Sequence, residues 1–281
     1  MDQKRTIKID LLTLIAISMI AWSLANFLHE VVGHAGSAAL LGIPVRAVST
    51  TTMYIEWDQI QTAGENRIIN AAGPVMNLVT GIIALLFLRS SKVNGVAARY
   101  FLWLYSTISF IIVNLNHITA PHIGGGDFTE FIEDFGNKDL WRAIIIGVGV
   151  IIAIPGYSLP LRFWMPDLRG NRKTLLKITI IPVLTLIILQ TLSLIGSPFS
   201  RLPADNNHLL ASVLAYMHFV LWAILVNVIP IPRSTHPIES IRLPRSRLYI
   251  GVAILVGIIF IFVLGPGLGP LDQDPRLVFW R

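Results

Sequence analysis

His29, Glu30 and His34 stand in an otherwise apolar stretch, Asn26-Phe27-Leu28-His29-Glu30-Val31-Val32-Gly33-His34-Ala35. A charge at bilayer depth costs roughly 2.5–3.5 kcal/mol on insertion scales, so such residues are functional by default. The plainer alternative is a polar cluster that satisfies itself between helices, or interfacial residues at a helix end. The chemistry they could do is specific. Neutral imidazoles are the usual zinc ligands, and a glutamate beside the first of them is placed to activate a water on the metal. The common pattern H-E-x-x-H puts both histidines on one helix face. Here the spacing is one residue longer, which on a regular helix separates the rings by about 140°. A π-type turn between His29 and His34 realigns them, and Gly33 offers backbone freedom for it.

Two histidines need a further ligand. A second polar cluster reads Asn114-Leu115-Asn116-His117-Ile118-Thr119-Ala120-Pro121-His122-Ile123-Gly124-Gly125-Gly126-Asp127-Phe128. The glycine run permits a strained backbone that delivers Asp127 to a metal. Alternatively, Asp127 is an ordinary N-cap for the acidic segment 128–135, followed by Thr129 and Glu130. His117 and His122 are rival third ligands. Between the two clusters lies Asn70-Ala71-Ala72-Gly73-Pro74-Val75-Met76-Asn77. Its small residues allow close helix approach, Pro74 frees a carbonyl, and Asn77 is a polar group in lipid that needs a partner. It is either ordinary small-residue packing with a kink or a helix pressed against the first to line a site.

The string H-E-x-x-G-H resembles the zinc site of dipeptidyl peptidase III, where the longer spacing binds zinc. Over roughly residues 20–130 the chain resembles the site-2 protease family of intramembrane zinc metalloproteases. The motifs that carry this are H-E-x-x-x-H at the end of a first helix, then A-A-G-P-V-M-N and a later N…P…G-G-G-D. The resemblance implies that His29 and His34 bind Zn2+, that Glu30 activates water, and that Asp127 is the ligand aspartate. It differs from the family pattern in its asparagine-to-proline spacing, since Asn114 and Asn116 lie seven and five residues before Pro121. Asn227-Val228-Ile229-Pro230 matches N-x-x-P better but is followed by no aspartate, only Arg233, Ser234, Thr235 and His236 after the prolines. No PDZ-like insert is present, and typical members place their site toward the cytoplasm.

The elements that must position these residues follow from composition. Of 281 residues, 54% are apolar and 14% charged, with a mean hydropathy of +0.67. Soluble domains carry about 25% charged residues. A disordered chain, a coiled coil and an ordinary soluble enzyme are therefore excluded. The absence of cysteine excludes disulfides and thiolate metal sites. No basic patch interleaved with aromatics points to nucleic acid.

Seven apolar stretches are long enough, or nearly so, to cross a ~30 Å core: roughly 9–28, 68–88, 100–118, 143–159, 178–196, 209–230 and 248–264. The fourth and seventh are short, with Pro155-Gly156 placed to kink or end the fourth. Gly42 and Pro44 end the first, and Val45–Trp57 is rich in β-branched and aromatic residues, which predicts an outer β-hairpin. The expected fold is an all-α polytopic membrane protein of about seven transmembrane helices. It forms a single integral membrane domain over 1–281, with 9–130 as zinc-site core and 131–281 as additional helices.

Charge sorts the connections. Fifteen of the 22 basic residues, among them Lys4, Arg89, Arg99, Lys173 and Arg245, fall on alternate connections, and eleven of the 16 acids fall on the opposite set. By the positive-inside rule the N-terminus is cytoplasmic and the site faces outward. The expected function is a zinc-dependent membrane-embedded metallopeptidase acting on a peptide or membrane-protein substrate in or next to the lipid bilayer. The rival is a catalytically inactive or metal-binding membrane subunit or transporter.

Overall fold

The computed structural model describes residues 8–90, 92–93, 95–119, 121, 124–164, 172–195, 206–228 and 242–268. Helix α1 begins at Leu11, where the Asp10 carboxylate accepts from the Thr13 amide and hydroxyl, both at 2.9 Å. It runs as regular α-helix through Leu11–Phe27, as π-helix through Leu28–Ala35 and as α-helix again through Gly36–Leu40. Strands β2 (Val45–Val48) and β3 (Met53–Ile55) follow as an antiparallel hairpin. Helix α2 (Ala63–Arg89) opens on a reciprocal cap between Thr62 and Glu65. Then come α3 (Val96–Asn114, ending in a π-turn over Leu115–Thr119), the short α4 (Asp127–Phe131) and α5 (Lys138–Trp164). The chain continues through α6 (Arg172–Ile195), α7 (Asn206–Val228) and α8 (Arg247–Ile258, with a π-helical end over Ile259–Leu264).

Among the described residues, six helices are long and apolar enough to cross a membrane: Leu11–Leu40, Ala63–Arg89, Val96–Thr119, Lys138–Pro160, Lys173–Ser193 and Arg247–Leu264. The sixth expected stretch, 209–230, corresponds to α7, whose described apolar part, Tyr216–Val228, is shorter than a bilayer crossing. The first helix runs past the apolar stretch to Leu40 and stops just before Gly42, where the sequence placed its end. Pro155 and Pro160 lie inside α5 and do not end it.

The core is built where α1, α3, α6 and α7 meet. Trp103 packs on Tyr100 and on Trp222 at centroid separations of 5.8 and 5.6 Å, and Trp22 meets Phe219 edge-on at 5.5 Å. Apolar faces of α5 and α8 stay exposed, including Ile151, Ile154, Leu255 and Phe262. In a bilayer these face lipid.

Two small sheets mark opposite ends of the bundle. At one end β1 (Lys8–Ile9) pairs in parallel with β4 (Arg242–Leu243). Both strands are two residues long, too short for any sequence pattern to signal. At the other end the hairpin is tied down at three residues of α6, α8 and the turn after α8. Val48 exchanges backbone hydrogen bonds with Leu268, the Thr50 amide donates to the Leu264 carbonyl, and the Thr50 hydroxyl lies 3.1 Å from that of Ser193.

Candidate metal centre

The π-helical turn supplies the first half of the site. Bonding from residue i to i+5 absorbs one extra residue per turn, and the five-residue spacing of His29 and His34 no longer splays the rings. Their centroids lie 4.7 Å apart with the planes at 82°. Gly33 serves a different end from the one expected. A Cβ there would lie 2.7 Å from Gly73 Cα and 2.9 Å from the Ala72 carbonyl oxygen. It therefore lets α1 and α2 touch backbone to backbone, and the turn itself is wide over all of Leu28–Ala35.

Helix α2 then orients both imidazoles. Asn77, fully buried, donates its amide to the Ala25 carbonyl at 3.2 Å, which turns its Oδ1 toward His29 Nδ1 at 2.6 Å. The Ile69 carbonyl lies 2.7 Å from His34 Nδ1. Both acceptors require an N–H at Nδ1, so each imidazole, when neutral, presents the lone pair of Nε2 inward. Gly73 makes room for this. A Cβ at that position would fall 2.3 Å from His34 Nε2, so the ring lies flat against the glycine.

Asp127 completes the convergence. Gly124 and Gly126 both adopt positive φ, at 74° and 86°, which side chains with a Cβ rarely tolerate. Gly126 is the N-cap of α4 and Asp127 its first helical residue. The capping role weighed for Asp127 is thus taken by the glycine, and its carboxylate turns to the histidines. Oδ2 lies 3.2 Å from His29 Nε2 and Oδ1 3.4 Å from His34 Nε2. Burial raises this carboxyl, and only positive charge on the groups it faces, His34 first and then His29, brings it well below the usual carboxylate range.

Three distances test whether these donors fit a metal. The two Nε2 atoms are 3.2 Å apart, and the carboxylate oxygens stand at 3.2 and 3.4 Å from them. A tetrahedral ion with bonds of about 2.0–2.2 Å has donors about 3.3–3.6 Å apart along each edge. The buried Oδ2 has no hydrogen-bond donor of its own. Lone pairs facing one another at this range need a cation or protons between them. Two imidazoles and one carboxylate are a donor set that suits zinc.

Glu30 lies beside the donors without joining them, its Oε1 4.0 Å from His29 Nε2. All three helix residues are buried, with exposures of 6% for His29, 9% for Glu30 and 4% for His34. Strand β3 covers the π-helical turn. Its Tyr54, which the sequence did not single out, carries a phenol pushed up to about 12, first by burial and then by the charge of Glu30.

The remaining candidates fall elsewhere. His117 donates Nδ1–H to the Val113 carbonyl at 2.8 Å and packs at a tilt on Phe128 with centroids 4.1 Å apart, and it is not among the converging donors. His122 lies outside the described residues. Asn114 donates to its own helix at Phe110. Asn227 bonds Thr179 at 3.0 Å and ties α7 to α6, and Pro230 lies outside the described residues. No family model matches the chain, and no curated protein or solved structure matches it.

Proposed function

We propose that the chain is a zinc-dependent membrane metallopeptidase of the site-2 protease type, hydrolysing peptide bonds in or next to the bilayer. The observation that supports it is the convergence of His29 Nε2, His34 Nε2 and the Asp127 carboxylate at tetrahedral edge lengths, with Glu30 alongside. When bound, zinc supplies a Lewis acid that lowers the pKa of a coordinated water toward ~7. Asn77 and the Ile69 carbonyl hold a proton at each Nδ1 and aim each Nε2 at the site, as ligands must be. Glu30 takes the proton of the attacking water and later passes it to the leaving amine. Charge distribution favours a cytoplasmic N-terminus and a site on the extracytoplasmic side.

The test pairs metal content with cleavage in purified protein. Glu30→Gln keeps every donor, so zinc should remain while turnover falls by about 10²–10⁴. Asp127→Ala removes a donor, so zinc itself should be lost, and added zinc should restore part of the activity. Bound zinc with no hydrolysis by the wild-type chain would instead favour a metal-binding membrane subunit. No zinc in the wild type would leave an inactive, structural one.

A further inference from the structure

One face of α2 addresses all three donors of the centre. At 100° per residue, Asn66, Asn70, Gly73 and Asn77 fall within about 60° of one another on this helix. Asn77 holds His29, and Gly73 seats the ring of His34. The other two asparagines lead to the third donor. Asn70, only 5% exposed, donates its amide to Asn66 Oδ1 at 2.8 Å and to the Asn66 carbonyl at 3.0 Å. With Oδ1 engaged in this way, the Asn66 amide nitrogen turns away from α2 and reaches the Glu130 carbonyl oxygen at 3.5 Å. That carbonyl belongs to α4, whose first residue is Asp127.

We propose that Asn66, oriented by Asn70, is a positioning residue for the Asp127 donor; this rests on the metal centre above and not on hydrolysis. Helix α4 is five residues long and has no stability of its own. It follows a glycine run in which Gly124 and Gly126 take positive φ, a backbone that permits many directions and imposes none. The place of Asp127 is therefore set by what α4 packs on, and α4 packs along α2. Ala71 joins the apolar cluster of Phe128 and Ile132, and Arg67 lies 4.2 Å over the Phe135 ring. Apolar contacts of this kind hold α4 down but let it roll. The polar contact from Asn66 fixes its rotation, and with it the direction of the carboxylate.

The experiment measures metal affinity of the full chain in detergent for the wild type, Asn66→Leu, Asp127→Ala and the double variant. Zinc is titrated against a chelator, and Cu2+ is titrated as well, because its tighter binding to imidazole keeps the Asp127→Ala proteins within range. Asn66→Leu keeps the side chain's approximate volume and removes its polar atoms. It should weaken zinc about tenfold, the low end for a residue that orients a ligand, since it acts through the α4 backbone over a long hydrogen bond. In the Asp127→Ala background the same change should alter affinity less than about twofold, because the donor it positions is gone. Asn70→Leu frees the Asn66 amide without touching α4, and should show the same dependence with a smaller loss. Equal weakening in both backgrounds would overturn the assignment and make the asparagines packing residues of α2. So would unchanged affinity in both single variants. A wild-type chain that takes up neither metal would reject the metal centre itself, and the positioning role with it.

Discussion

At the scale of single residues, the decisive arrangement is a histidine whose far nitrogen is held by an asparagine from another helix. His29 depends on Asn77, and Asn77 depends in turn on the Ala25 carbonyl one turn before His29. Asn77→Leu fills the space with apolar atoms but leaves the Nδ1–H without an acceptor. The imidazole is then free to rotate or to carry its proton at Nε2, where the metal would sit. Zinc affinity should fall about 10–100-fold, the usual consequence of removing such a partner. Competition against a chelator reads this directly, and unchanged affinity would mean that Asn77 only packs α2 against α1. The need for a partner was legible in the sequence, since an amide in lipid cannot stay alone. Which nitrogen it would meet was not, because that depends on how two helices cross.

At the scale of elements, one inserted residue and two glycines decide the geometry. The extra residue in H-E-x-x-x-H is readable as a wide turn because 100° per residue leaves no other way to align the rings. The structure realises it across eight residues, Leu28–Ala35. The end of α1 was readable from Gly42 and Pro44, and the helix stops at Leu40. The side from which His117 points was not, as it sits in a second π-turn over Leu115–Thr119. Gly73 gives the sharpest test. Alanine favours a helix over glycine by about 0.8–1 kcal/mol, yet a methyl here would press within 2.3 Å of His34 Nε2. Gly73→Ala should therefore leave thermal stability of the metal-free protein nearly unchanged while zinc binding drops sharply. A variant that loses stability but keeps its zinc would show that the contact is packing alone.

At the scale of the whole molecule, the two ends of the bundle differ in charge and in what they carry. The hairpin, α4, Ser193 at the end of α6 and Leu268 after α8 gather at the end that holds His29, His34 and Asp127. The β1–β4 pair and the connection around Lys92 lie at the other. This is the grouping that alternate connections require, and it puts the acidic segment around Glu133 and Asp134 with the site. If the positive-inside rule governs insertion, basic residues such as Arg89, Arg99 and Arg245 stay in the cytoplasm and the metal donors open outward. The chain has no cysteine of its own, so single cysteines report without background. Asp134→Cys should react with an impermeant maleimide on intact cells, and Lys92→Cys should react only after lysis; both positions are exposed. The opposite pattern would turn the whole molecule over. His29, His34 and Asp127 would then face the cytoplasm, and substrates would have to come from that side.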